Sequence, residues 1–121
     1  MTLCLEKAVH RLSLSANQGH PAAQNSLALA HCKGLGTPQN FSLGAFYYQQ
    51  SADQYNTLGQ YNSGVCFVYG TGVRKDDNEA LKRFRQAASK GHVLARNAAK
   101  SLLVRKEQVG GWWVCFWLMI M

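Results

Sequence analysis

Apolar residues recur along the chain at helical spacing, in blocks separated by short stretches that contain Gly, Pro, Asn or Asp. Residues 21–33 are rich in Ala and Leu and contain no internal Gly or Pro, which predicts one helix. Residues 34–38, which include two Gly and one Pro, end that helix, and a block with several aromatic residues then runs to about Gln54. The pattern therefore predicts a hairpin of two helices, called helix A and helix B.

The same arrangement returns after 36 residues, with small residues on small residues and large residues on large ones. The equivalent structural positions are Ala16, Ala52 and Ala88 in helix B, and Gly34 with Gly70 and Gly36 with Gly72 in the loops. Small side chains let two helix backbones approach closely, so we expect the repeated Ala at helix–helix contacts. A period of this length predicts an all-α fold, a solenoid or α-α superhelix of 36-residue helical hairpins.

These segments resemble the Sel-one-like repeat family, a relative of the tetratricopeptide repeats. The resemblance covers about residues 5–105 and rests on the helix-A segments 22–28 and 59–64, the loops 34–36 and 70–73, and the turn 87–92. It implies a right-handed, tetratricopeptide-like superhelix that works as an adaptor by binding other proteins. Three positions depart from the family pattern: Tyr55-Asn56 replaces the usual Gly-His, Ala28 replaces a Gly, and His31 replaces an aromatic residue.

In the related repeats the groove for partners is lined by helix A. If Leu27, Ser63 and Ala99 face the core, helical spacing turns another set of residues toward the concave side. This predicted partner-binding set is Asn25, Leu29, Lys33, Tyr61, Val65, Tyr69, Asn97 and Ser101. Aromatic and amide side chains in a shallow channel suit an extended peptide or a partner helix. The alternative is that Val65 and its apolar neighbours are simply buried by the adjoining repeat.

The sequence predicts neither an enzyme nor a metal or cofactor site. His20 and His92 occupy equivalent turn positions, so helix starts explain their recurrence. His10 and His31 have no Cys or carboxylate partner at the spacing of metal ligands. The Gly-x-Gly loops lack the third Gly and the downstream acidic residue of a dinucleotide-binding site.

The net charge of +7 is concentrated near one end of the chain. Residues 74–107 carry ten basic and four acidic side chains, a balance of +6, whereas residues 1–73 have a balance of +1. Such a charge attracts acidic proteins, nucleic acids or anionic membranes, but solvated helix faces are also often rich in Lys and Arg. Nucleic-acid binding through residues 74–106 is therefore a less favoured alternative.

The four cysteines have neither zinc-site nor redox-motif spacing, which favours buried or free thiols. Glu6 and Lys7 interrupt the start of the chain where a signal peptide needs an unbroken apolar stretch. Together these features favour a reducing compartment, the cytoplasm or the mitochondrion, over the endoplasmic reticulum.

The repeat register ends at Glu107, so we assign the repeat array to residues 1–107 and a hydrophobic tail to residues 108–121. The apolar run Trp112–Met121 is shorter than the roughly twenty residues of a bilayer-spanning helix. Three interpretations of it are a cap on the last helix, an interfacial membrane anchor, or a sequence foreign to the domain, such as an alternative transcript end. We favour the last.

The sequence has two complete loops with partial units on either side, and it lacks the polar capping repeats typical of solenoids. We therefore expect self-association through uncapped ends, and a chain that is a fragment or an alternative isoform. The leading functional hypothesis is a scaffold that binds a partner segment on its concave helix-A face. The alternative is a basic, tail-assisted module at a membrane surface.

Overall fold

The computed structural model describes residues 2–110, in which it contains six helices and no strand. The helices are α1 (Thr2–Asn17), α2 (Pro21–Lys33), α3 (Phe41–Asp53), α4 (Thr57–Tyr69), α5 (Asp77–Ala88) and α6 (Val93–Gly110). Each packs mainly against the helices before and after it in the chain. In repeat register α2, α4 and α6 are A helices, and α1, α3 and α5 are B helices. The prediction of an all-α helical-repeat fold is confirmed.

The predicted tail after Gly110 lies outside the described residues, so its three interpretations are untested. The boundary at Glu107, self-association and membrane binding also stay predictions. Within residues 2–110 none of the helices combines the length and apolarity that crossing a membrane requires.

The helices begin and end where short polar residues and Gly satisfy the free backbone groups. Asn40, Asn56 and Asp76 precede α3, α4 and α5, and the side chain of each accepts hydrogen bonds from N–H groups in the first helical turn. Gly34 and Gly70 end α2 and α4 in the left-handed conformation, with φ of 67° and 68°. These caps fix where each A-to-B loop (residues 34–40 and 70–76) leaves and enters a helix.

Tyr55 takes the conformation that Gly has in the equivalent turns. Its φ is +64°, beside +90° at Gly19 and +88° at Gly91. The ring is 74% exposed, and Lys90 both donates a hydrogen bond to the Tyr55 carbonyl and lies 5.8 Å from the ring centroid. Replacement of the family's Gly-His by Tyr55-Asn56 therefore leaves the turn geometry unchanged, but the backbone of Tyr55 is strained.

The repeated small residues lie at helix contacts. Ala16 and Ala52 are buried, whereas Ala88 is half-buried. The closest approach of α3 and α4 is at Gly59, where an added Cβ would lie 2.9 Å from the Ala52 nitrogen and 2.6 Å from Ser51 Oγ. Only Gly at this position lets the two helices pack at the observed distance.

The second glycine of each A-to-B loop crosses the first turn of the preceding B helix. A Cβ at Gly36 would lie 2.5 Å from the Leu5 carbonyl oxygen, and one at Gly72 would overlap the Phe41 carbonyl. The loops thus join consecutive hairpins by backbone contact, which fixes the spacing between successive A helices.

Candidate functional site

A groove of about 450 Å³ lies between α4 and α6. Its lining residues are Tyr61, Val65, Val68 and Tyr69 from α4, Phe84 from α5, and Ala98, Ser101, Leu102 and Arg105 from α6. Both walls are A helices. Phe84 is the one lining residue from α5; it is 2% exposed and also belongs to the core. Both A helices contribute to the groove residues that the sequence pattern assigns to partner binding.

Four of the eight predicted partner-binding residues, Tyr61, Val65, Tyr69 and Ser101, line this groove. The other four lie outside it. Leu29 and Lys33 are exposed on α2, Asn97 is exposed on α6, and Asn25 is engaged in a hydrogen bond described below. The structure therefore brings together the α4 residues and one α6 residue of the predicted set, and leaves its α2 residues apart.

Helix-A periodicity missed several groove residues. Phe84 belongs to helix B, so no pattern within helix A could include it. Arg105 is four residues after Ser101 and lies on the same helical face, so extending the spacing by one turn would have found it. Leu102 is 4% exposed, packs in the core and also lines the groove. Helical periodicity assigns such a residue to the core alone.

The two junctions between A helices differ in a polar bridge that joins α2 to α4 and is not repeated between α4 and α6. Between α2 and α4, Asn62 Nδ2 donates a hydrogen bond of 3.0 Å to Asn25 Oδ1. One repeat later the equivalent residues are Ala98 and Tyr61, which form no such bond. The space between α4 and α6 is therefore left open to a ligand.

Tyr61 is held at one end of the groove by two rings. Its ring centroid lies 5.8 Å from that of Phe84 and 4.9 Å from that of His92, both within the range of favourable aromatic contacts. His92 is itself fixed, because its Nδ1 accepts a hydrogen bond of 3.1 Å from the Ala95 N–H at the start of α6. Tyr69, in the last turn of α4, is 76% exposed. The groove thus combines one aromatic side chain in contact with two rings and one that is mostly exposed.

Arg105 is the one charged residue among those lining the groove. Its side chain is 48% exposed, and Nη2 lies 3.2 Å from Asp77 Oδ1. Arg83, by contrast, is taken up by structural contacts, 3.0 Å from Asp53 Oδ1 and 3.8 Å from Glu79 Oε1. The groove therefore carries positive charge at its Arg105 wall and no carboxylate in its lining.

His31 and Cys32 of α2 are half-buried, Cys66 of α4 is buried, and all three make packing contacts. His31 stacks on Tyr47 with ring centroids 5.9 Å apart, and burial lowers the pKa of its imidazole. Cys32 and Cys66 are free thiols that pack against Tyr48, and burial raises the pKa of Cys66 to about 12. A thiol that stays neutral at physiological pH is a poor nucleophile. In the described range, the His, Cys, Asp and Glu side chains form no group that could hold a metal ion.

Comparisons with known proteins agree with the repeat register. The Sel1 repeat model matches residues 21–56 and 57–92. The uncharacterised protein NMB1327 of Neisseria meningitidis serogroup B is 28% identical over 99 residues, which cover 82% of this chain and 21% of that protein. HRD3B of Arabidopsis thaliana, an ERAD-associated E3 ubiquitin-protein ligase component, is 37% identical over 57 residues, which cover 46% of this chain and 9% of HRD3B.

Two solved structures share the fold. The protein c5321, a protective antigen of uropathogenic Escherichia coli with an SLR fold, superposes with a TM-score of 0.78 and 29% identity, over 83% of this chain and 21% of that one. A Sel1 repeat protein from Oxalobacter formigenes superposes with a TM-score of 0.73 and 31% identity, over 75% of this chain and 26% of that one. The chain spans about a fifth of the length of the first relatives that it matches, with 21% coverage in both comparisons. The two matched repeats cover more than half of the chain, and the six helices of residues 2–110 keep the same register, so the chain belongs to the Sel1 repeat family.

Proposed function

We propose that this chain is a protein-interaction module that binds a segment of another protein in the groove between α4 and α6. Sel1 repeat proteins generally mediate protein–protein interactions, and the family is typically a non-enzymatic scaffold. The observation that carries the proposal for this particular face is the open, apolar groove between two A helices. Its relative HRD3B is named as a component of a ubiquitin ligase, which also favours a protein partner.

The size and lining of the groove suit a peptide segment. A volume of about 450 Å³ accommodates a few side chains rather than a folded domain. Tyr and Arg are enriched among the residues that dominate binding energy at protein interfaces, and the groove presents Tyr61, Tyr69 and Arg105 together. The partner's backbone would lie along the channel and insert one or two apolar side chains against Val65 and Leu102.

Ser101→Glu tests the face without removing a packing residue. Ser101 is exposed and lines the groove, so the Glu side chain places a charge in the groove and leaves the buried contacts of α6 intact. Ser26→Glu is the matched control, because Ser26 is exposed in the A helix α2 and is not among the groove residues. Both proteins are expected to keep the helical circular-dichroism spectrum of the parent.

Peptides selected by display on the parent protein supply the ligands, and their affinities are measured by fluorescence anisotropy. We expect Ser101→Glu to weaken binding at least about tenfold, equivalent to about 1.4 kcal/mol, and Ser26→Glu less than about twofold. Equal losses in the two variants, or undiminished binding by Ser101→Glu, would place the binding surface elsewhere and refute the proposal.

A further inference from the structure

We propose that the groove selects an acidic segment, in which an aliphatic or aromatic side chain enters between α4 and α6 and a neighbouring carboxylate meets Arg105. This inference rests on the proposed function and adds to it the chemistry of the partner. Three features carry it: an apolar interior, one cation and no anion among the lining residues, and an excess of positive charge along residues 74–105, which supply one wall of the groove.

The apolar part of the partner is set by the groove's interior. Val65, Val68 and Ala98 line it beside the buried residues Phe84 and Leu102. A polar group placed against these side chains would lose its hydrogen bonds to water and gain none. An aliphatic or aromatic side chain, in contrast, would gain by burial between the two helices.

The acidic part of the partner is set by Arg105. A guanidinium has five N–H donors, and the contact with Asp77 is made through Nη2. With the side chain 48% exposed, donors remain available to a second carboxylate. Charge-assisted hydrogen bonds of Arg to carboxylates are stronger than neutral ones, so a correctly placed Glu or Asp would be recognised over Gln or Asn.

The basic segment that supplies one wall of the groove adds a long-range attraction. Between residues 74 and 105 there are nine basic and three acidic side chains, a balance of +6. Within the described residues, six of the nine have no acidic partner: Arg74, Lys75, Arg85, Lys90, Arg96 and Lys100. Lys75 lies beside Gly70, which follows the groove residue Tyr69 in the chain. Such a field raises the association rate of an acidic partner and makes that rate fall with added salt.

A protein segment fits these observations better than a nucleic acid. Nucleic-acid binding relies on several cations that follow the phosphate backbone. Here the groove lining contains one cation, and the unpaired basic side chains are spread over the loop before α5, α5 itself and α6. The groove's apolar interior would also be left without a function by a backbone contact alone.

The test uses two fluorescein-labelled peptides that share one Phe-Leu anchor and differ in their flanking residues, Glu in one and Gln in the other. Binding to the full chain is measured by fluorescence anisotropy at low and at physiological salt. We expect the Glu peptide to bind about tenfold more tightly than the Gln peptide, since charge-assisted bonds are roughly twice as strong as neutral ones.

Arg105→Gln is expected to remove most of that preference, with a loss of about fivefold for the Glu peptide and less than about twofold for the Gln peptide. Lys82→Gln is the matched control. It also removes one positive charge and one exposed ion pair, that with Glu79, but Lys82 does not line the groove. A loss below about twofold in this variant attributes the Arg105 effect to local contact rather than to net charge.

Several outcomes would overturn the inference. If both peptides bind equally and Ser101→Glu weakens both, the groove binds peptides without charge selection, so the proposed function stands and this inference fails. If neither peptide binds while display-selected peptides do, the stated chemistry is wrong. A labelled single-stranded oligonucleotide that binds more tightly than the Glu peptide at physiological salt would identify a nucleic-acid surface instead.

The chain's own tail, residues 108–121, could occupy the groove in place of an external partner. Tryptophan fluorescence tests this directly. All three tryptophans of the sequence, Trp112, Trp113 and Trp117, belong to the tail. Tryptophan emission that shifts to longer wavelength on Ser101→Glu, but not on Ser26→Glu, would assign the groove to the tail and overturn the proposal. An unchanged emission maximum in both variants supports an external partner.

Discussion

Gly72 lies where the second A-to-B loop crosses the first turn of α3, and Gly72→Ala perturbs the protein in two ways. The first is conformational, because Gly72 has a φ of +72°, in the left-handed region that L side chains rarely adopt. The second is steric, because the added Cβ would overlap the Phe41 carbonyl and lie 2.9 Å from the Ser42 nitrogen. Gly91→Ala is the matched control, since Gly91 has a φ of +88° and no atom within 4 Å of an added Cβ.

The two variants separate the conformational cost from the steric one. Placing an L residue in the left-handed region costs about 1–2 kcal/mol, so this is the full loss expected for Gly91→Ala. At Gly72 the obstructing atoms belong to the backbone and cannot rotate away as a side chain can. Forcing helix and loop apart adds about 1–3 kcal/mol by the usual cost of overpacking. We therefore expect Gly72→Ala to destabilise the protein by about 2–5 kcal/mol in total.

The measurement is urea unfolding followed by circular dichroism at 222 nm, with the free energy of unfolding extrapolated to water. Gly36→Ala repeats the test one hairpin earlier, where the added Cβ would lie 2.5 Å from the Leu5 carbonyl oxygen. Equal losses in Gly72→Ala and Gly91→Ala would show that the loop does not press on α3. The proposed backbone contact between hairpins would then be wrong.

Two further changes test strain and pH dependence. Tyr55→Gly removes a Tyr in the left-handed conformation, whose φ is +64°. After subtraction of the extra chain entropy of Gly, we expect the free energy of unfolding to rise by roughly 0.5–1 kcal/mol, seen as a rise of a few degrees in the melting temperature. A lower melting temperature would show that the contacts of Tyr55 with Lys90 outweigh the strain. Burial lowers the pKa of His31 below 6.5, so its stabilising contribution is present above that pH and is lost as the pH falls. His31→Phe keeps a ring against Tyr47 and should lose less stability than the parent between about pH 7 and about pH 5; parallel urea titrations with equal losses would contradict this.

The sequence predicted the fold well because each signal was local and repeated. The loop glycines Gly34 and Gly70 end a helix within a few residues of themselves, so the local sequence is enough to indicate them. The different roles of the two glycines in each A-to-B loop were not predictable. Gly70 ends a helix, whereas Gly72 is needed because a side chain would overlap the backbone of a helix that begins about thirty residues earlier. Both requirements appear in the sequence only as Gly.

The candidate site was predictable only in part, because its location depends on contacts between repeats. Periodicity identified Tyr61, Val65, Tyr69 and Ser101 as residues on one face of the A helices, and these do line the groove. It treated the two junctions between A helices as equivalent. They differ through one hydrogen bond between Asn25 and Asn62, side chains that lie in different helices and have no counterpart one repeat later.

Some residues of α6 hold the helix in place and others face a ligand. Ala95 and Ala99 are buried against the core that α5 contributes, Ser101 and Arg105 are exposed toward the groove, and Leu102 does both. Substitutions on the exposed face can therefore change what is bound while the spacing of the A helices, set by buried Ala and loop Gly, stays the same. For the same reason a family match that rests on the buried register identifies the scaffold but not its partner. The partner's chemistry has to be inferred from the few side chains, such as Arg105, that the repeat pattern does not require.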